Sequence, residues 1–241
     1  MVDHRVAVVT GANKGIGLEI ARHLARAGVT VYIGARDESR GQAAAEKLRA
    51  ERLDARPLRL DVTDDASVAA AASLLDANAG HLDILVNNAG VAIDDGPPSR
   101  VSLDALRRTY ETNVFGVVRV TQAMLPLLRR SDAGRIVNLS SGLGSLAKNS
   151  DPSWDFAAVK YLAYNSSKTA VNAITIQFAY ELRETPIKVN AADPGYVATD
   201  MNQHQGVRSV EQGAATPVRL ALLPPDGPTG GYFNDEGVVP W

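Results

Sequence analysis

Arg5-Val6-Ala7-Val8-Val9-Thr10 runs directly into Gly11-Ala12-Asn13-Lys14-Gly15-Ile16-Gly17, and the reading of this join decides the fold. The first segment is apolar without alternation, the pattern of a strand covered on both faces. The segment Gly15–Ala27 then carries Ile16, Ile20, Leu24 and Ala27 at helical spacing. Gly28 stands where a glycine ends a helix. A strand that turns tightly into a helix leaves backbone N–H groups free, and glycines let a pyrophosphate come close to them. Three glycines in an ordinary strand–helix loop would read alike, so the weight lies in the strand before and the helix after. No Lys-Ser or Lys-Thr pair follows Gly17, which excludes a P-loop.

Outward from this join the alternation continues. Strand segments are expected at Arg5–Thr10, Val29–Ile33, Arg56–Leu60, Asp83–Val86, Arg135–Leu139 and Ile187–Ala191, with a last one near Gly231–Phe233. Helices are expected at Gly15–Ala27, Glu38–Glu51, Asp64–Ala77, Leu103–Arg129 and Val159–Glu184. Alternation on this scale gives right-handed crossovers and a doubly wound parallel sheet of about seven strands, with helices on both faces. In such a sheet ligands bind at the carboxyl ends of the strands, near the switch point.

The chain has 241 residues, 45% of them hydrophobic, which suits one α/β domain with an ample core. A formal net charge of −2 gives no basic field for nucleic acid or an anionic membrane. There is no cysteine, which removes disulfides, thiolate metal sites and a cysteine nucleophile. The four histidines are scattered, so no metal site is expected. No apolar stretch is long enough to span a bilayer, and the N-terminal residues lack a secretory pattern, so a cytoplasmic protein is expected.

Further motifs fall at the ends of the expected strands. Asn87-Asn88-Ala89-Gly90 closes the fourth, Ser140-Ser141 follow the fifth, and Pro194-Gly195 follow the sixth. Asn113 lies in the long helix, and Tyr164-Asn165-Ser166-Ser167-Lys168 opens the next. With the Gly11, Gly15, Gly17 turn after Thr10, this order resembles the short-chain dehydrogenase/reductase family over essentially the whole chain. The wording around Asn13-Lys14 and Ala35-Arg36-Asp37 is similar to the carbonyl reductases. The resemblance implies a single-domain Rossmann fold, with residues 1–92 mainly binding cofactor and residues 93–241 carrying catalysis and substrate.

It also implies a nicotinamide cofactor over Gly11, Asn13, Lys14, Gly15, Ile16 and Gly17. Asp61 and Val62 would meet the adenine, Asn88, Ala89 and Gly90 the adenosine ribose, and Pro194, Val197 and Thr199 the nicotinamide. For Asp61, a polar strand end before the next helix is an equal reading. Ala35 fills the place where NAD-binding members carry an acid, whereas Arg36 and Lys14 are two cations able to clamp a 2′-phosphate. Asp37 is a rival ribose ligand, but it also suits the N-cap of the Glu38–Glu51 helix. NADP(H) is therefore expected.

Tyr164 and Lys168, four apart on a helix, share a face. A free phenol, with a pKa of about 10, is a poor acid–base group at neutral pH, and a nearby ammonium and a nicotinamide cation would lower that value. The resemblance makes Tyr164 the proton donor, Lys168 its tuner and ribose ligand, Ser141 the holder of the carbonyl oxygen, and Asn113 a helix-distorting asparagine whose backbone carbonyl completes a proton relay. Ser140 is a near alternative to Ser141, Lys160 a rival cation and Tyr161 a rival phenol.

The expected activity is hydride transfer from NADPH to a ketone or aldehyde. Alcohol oxidation is a second reading, and a non-catalytic NADP(H)-binding redox sensor a third; sensors of that kind lose the tyrosine or lysine that this chain keeps. The span from Ser141 to Tyr164 is longer than in compact members of the family. Its extra part, about 148–157, lies beside the substrate mouth, where it leaves monomer and dimer both open. Trp154 and Phe156 either cover an apolar substrate or pack the insertion down. Residues of about 196–210 should form a flap, with Met201, His204 and Gln205 near the substrate.

Overall fold

The computed structural model describes residues 5–94 and 96–241. Strands β1 (Val6–Thr10), β2 (Thr30–Ala35), β4 (Ile84–Asn87) and β5 (Arg135–Leu139) are buried along their whole lengths. Strand β3 (Ala55–Arg59), at the edge, exposes Arg56 and Arg59. With β6 (Lys188–Ala192), β7 (Tyr232–Asn234) and β8 (Gly237–Val238) they form one sheet in the order β3-β2-β1-β4-β5-β6-β7-β8. All neighbours pair parallel except β7 and β8. This antiparallel pair adds one strand to the seven expected. Its turn is made by Asn234, whose side-chain oxygen accepts from Glu236 N at 2.9 Å and Gly237 N at 3.1 Å.

Successive strand residues face opposite ways, so each strand feeds two cores. Val9, Ile33, Val86 and Val137 pack with Ile20, Leu24, Leu48 and Leu220 on one face. These come from helices α1 (Gly15–Arg26), α2 (Glu38–Ala50) and, for Leu220, α8 of residues 210–221. Val8, Leu85 and Ile136 pack with Leu75, Met124 and Leu128 on the other. That face is covered by α3 (Asp65–Ala79), α5 (Gly116–Leu128) and α7 (Leu162–Glu181). Gly28 ends α1 with φ +82°, and Asp37 caps α2 by accepting from Arg40 N at 3.0 Å, both as expected.

The expected helix Leu103–Arg129 is broken. Helix α4 (Leu103–Tyr110) passes into a π-helical turn, Glu111–Phe115, before α5 begins. A π turn inserts one residue and often marks a functional position. The expected helix Val159–Glu184 starts later, at Leu162, because Tyr161 is extended. The insertion carries the short helix α6 (Leu146–Ser150), capped by Ser145. Strands β2 and β4 flank β1, so the chain reverses direction across the sheet there, and a crevice opens at the carboxyl ends. Among the described residues no helix is long and apolar enough to cross a membrane.

Candidate active site

The crevice encloses about 2020 Å³, and every expected site residue except Asn113 lines it. Gly11 and Gly15 adopt φ +62° and +58°, conformations that favour glycine. A Cβ on Gly17 would lie 2.4 Å from Asn88 Nδ2 and 2.8 Å from the Gly11 carbonyl, so this position admits no side chain. Asn88 Nδ2 donates to the carbonyls of Thr10 at 2.8 Å and Gly11 at 3.2 Å, while Asn88 N and Ala89 N donate to Thr10 Oγ1. This bonding ties the turn to the end of β4. Helix α1 has no side-chain cap and no acid in its first turn, which leaves its N–H groups open to an anion.

Around that anion site the charges are arranged as follows. Arg36 is exposed on the crevice wall next to Ala35. Asp37 points to α2 instead, and a hydrogen bond from Ser39 lowers its pKa. Lys14 Nζ lies 2.5 Å from Asp200 Oδ2, and His204 meets the same carboxylate at 2.9 Å. His204 thus has a structural partner. Asp61 Oδ1 accepts from Thr63 N at 3.0 Å and Thr63 Oγ1 at 2.7 Å, so it shapes its own strand end while lining the crevice. Val62 is buried against Gly116, where a Cβ would lie 2.9 Å from it. A glycine cradle with an open helix terminus and nearby cations fits a phosphorylated dinucleotide.

On the far side, α7 brings Tyr164 and Lys168 to the crevice wall. The Tyr164 phenol and the Ser141 side chain share that wall, and Ser141 Oγ accepts from Leu143 N at 3.2 Å. Ser140 turns away, its hydroxyl donating to Asn172 Oδ1 at 2.6 Å inside the fold. Geometry thus separates the two serines that sequence left close. Lys160 Nζ is spent on the Asn149 carbonyl at 2.8 Å, and Tyr161 is half exposed, so neither rival joins the cluster. Lys168 Nζ donates to the Leu139 carbonyl at 2.8 Å and lies 5.6 Å from the centre of the Tyr164 ring.

Burial governs the electrostatics of the chain alone. It pushes the Tyr164 phenol up to about 12, where the Ser141 side chain lowers it and Asp193 raises it. Burial pushes Lys168 down to about 8. Asp193, buried at the end of β6 and accepting from Gly195 N at 2.9 Å, is a site residue that sequence reasoning missed. It stands directly before Pro194, a position that motif reading passed over.

Asn113 sits in the π turn, buried, and its side chain clasps one residue from both sides. Val91 N donates to its Oδ1 at 2.8 Å, and its Nδ2 donates to the Val91 carbonyl at 2.8 Å and to Ser167 Oγ at 3.0 Å. The side chain is therefore fully used, and the helix is distorted where it lies. Gly90 leaves room there: a Cβ on it would lie 3.6 Å from Lys168 Nζ. Asp94, also unforeseen, accepts from Ala163 N at 3.0 Å and Tyr164 N at 3.1 Å.

The mouth has two sides. Tyr196 and Arg208 close the base of the flap through Arg208 N to the Tyr196 carbonyl at 3.1 Å and Ala198 N to the Arg208 carbonyl at 2.9 Å. Pro194, Val197, Thr199, Met201, His204 and Gln205 line the crevice from that side. From the insertion, Trp154 and Phe156 stack edge to face at 5.6 Å, and Phe156 meets Tyr196 at 5.8 Å. Both aromatic residues face the crevice, so packing the insertion and lining the mouth are one role.

The short chain dehydrogenase family matches residues 5–208. The chain is 38% identical to short-chain dehydrogenase/reductase 1 of Saponaria officinalis, covering 100% of this chain and 97% of that protein. It is 38% identical to carbonyl reductase (NADPH) 1 of Mus musculus, covering 98% of each. Among solved structures, the NADPH-bound carbonyl reductase from chicken fatty liver superposes with a TM-score of 0.86 at 29% identity, covering 99% of each chain. The glycine turn, the Tyr164–Lys168 helix and the Ser141 strand end all lie within the matched residues, and the chain belongs to the short-chain dehydrogenase/reductase family.

Proposed function

We propose that this enzyme is an NADP(H)-dependent reductase of ketones or aldehydes, acting through Tyr164, Ser141, Lys168 and Asn113. The observation that carries this reading is that Tyr164, Ser141 and Lys168 line one crevice together with the glycine turn. Two hydroxyls on that wall suit one carbonyl oxygen, with Ser141 orienting it and Tyr164 delivering the proton as negative charge develops. Bound along the glycine turn, the nicotinamide supplies the hydride. Arg36 and Lys14 hold its 2′-phosphate, and Pro194, Val197 and Thr199 bound the nicotinamide end. Lys168 lies between Tyr164 and the Leu139 carbonyl, where its charge opposes that of a forming phenolate. Asn113 keeps the π turn in place beside it.

The reductive direction rests on NADPH being the usual reductant; by microscopic reversibility the same phenol would accept the proton in alcohol oxidation. A non-catalytic redox sensor has no use for the hydroxyl pair. The test is Tyr164→Phe, assayed by NADPH absorbance against aromatic ketones, aliphatic aldehydes, quinones and cyclic ketones. We expect kcat to fall by about a hundredfold or more, the scale of general acid catalysis, with NADPH affinity nearly unchanged. A mutant as active as the parent refutes the assignment.

A further inference from the structure

We propose that Asp94 is a positioning residue that sets the catalytic phenol against the cofactor turn by holding the first turn of α7 from a distance. This rests on the reading of Tyr164 as the proton donor.

Helix α7 has no cap of its own. Tyr161, the residue before it, offers no side-chain acceptor, and its first turn contains no acid. Two of the N–H groups that a helix start leaves unpaired, those of Ala163 and Tyr164, donate instead to the two oxygens of the Asp94 carboxylate. The negative charge also suits the positive end of the helix. A local cap would travel with its helix. A cap from the loop after β4 fixes the helix relative to that loop, and Tyr164 is the residue it grips.

The loop is itself anchored. Asn88, near its start, bonds the carbonyls of Thr10 and Gly11 in the glycine turn. Val91 is clasped on both sides by Asn113. The carbonyl of Tyr164 returns to the same framework, since Ser167 Oγ donates to it at 2.7 Å and accepts from Asn113 Nδ2 at 3.0 Å. The backbone of Tyr164 is thereby held at its N–H by Asp94 and at its carbonyl through Ser167. Both holds lead back to the loop after β4, which Asn88 ties to the glycine turn. Hydride transfer and proton transfer need their donors at fixed separation, and this loop is the path that fixes it.

The test compares Asp94→Ala with Asp94→Asn in the full chain, following amide hydrogen exchange at Ala163 and Tyr164, NADPH binding by fluorescence, and kcat. In Asp94→Ala both amides should lose protection, and kcat should fall about ten- to a hundredfold while NADPH affinity stays within about twofold. Asp94→Asn keeps one acceptor oxygen and should be intermediate in exchange and in kcat. Unchanged exchange in Asp94→Ala overturns the capping. Lost protection with an unchanged kcat overturns the positioning, and so does a loss of NADPH affinity that matches the loss of kcat. Should Asp94→Ala not fold, Asp94→Asn decides alone, and parental exchange and kcat in it overturn the proposal. An active Tyr164→Phe enzyme would instead remove the assigned proton donor and leave the exchange result standing.

Discussion

Lys168 is 5% exposed and donates to one carbonyl, with no carboxylate of the described residues paired to it. Its pKa falls from 10.5 to about 8 through burial. Below pH 8 both folded and unfolded chains hold this proton, and the fold bears the full cost of the buried charge, about 3 kcal/mol. Between pH 8 and 10.5 the unfolded chain keeps a proton that the fold has released, so stability rises with pH across that window. Tyr164 acts in the opposite sense: between 10 and about 12 the fold keeps a proton that the unfolded chain has lost, and stability declines. We therefore expect Lys168→Met to abolish turnover yet raise stability at pH 7 by about 1–2 kcal/mol, after allowance for the lost hydrogen bond. Urea midpoints at pH 7 and pH 10 check this; a mutant less stable than the parent at pH 7 contradicts it. Tyr164 and Lys168 were picked out by the order of motifs in the resemblance, since a Tyr–Lys pair at that spacing is common on helices. Their pKa directions were not readable, because desolvation depends on what the rest of the chain packs around them.

At the scale of elements, the strands were legible because residues buried on both faces must be apolar throughout, as in Val6–Val9 and Ile84–Val86. The break in the 103–129 helix was legible only through the resemblance, which makes Asn113 a helix-distorting residue. No local pattern encodes it, because the hydrogen bonds of Asn113 in that turn reach Val91 and Ser167. Asp94 was illegible for the same reason, since its partners lie far along the chain. Close approach between elements is equally hidden. The short turn Gly142–Gly144 backs directly onto α7, and a Cβ on Gly144 would lie 2.7 Å from both the carbonyl carbon and the Cβ of Lys168. Backbone cannot yield there cheaply. Gly144→Ala should cost about 1–3 kcal/mol and lower kcat by displacing Lys168. Unfolding midpoints and turnover, measured together, test it, and a mutant matching the parent in both would show that the turn and helix can part.

For the molecule as a whole, occupancy of the crevice should appear as stability, because a ligand that binds only the folded chain stabilises it by mass action. NADPH at a hundred times its Kd should add about 2.7 kcal/mol, which for a domain of this size is a rise in Tm of roughly 5–10 °C. NADH at the same concentration should raise it less, and Arg36→Asp should erase the difference. Equal shifts with the two nucleotides in the parent protein would remove the phosphate clamp from the account. The same large architecture carries a simpler lesson. Strands β1 through β7 point one way, so every loop that touches the crevice leaves from a single rim. The opposite rim is held by hydrogen bonds between side chains and backbone, such as Val6 N to Asp83 Oδ2 at 2.7 Å and Arg135 Nη2 to the Leu223 carbonyl at 2.7 Å. Lengthening or exchanging segments on the working rim, like the one between Ser141 and Tyr164, reshapes the mouth without sliding one strand past the next. A surface tether attached at the opposite rim would leave the mouth unobstructed. Chain direction alone divides what is free to diversify from what has to stay constant.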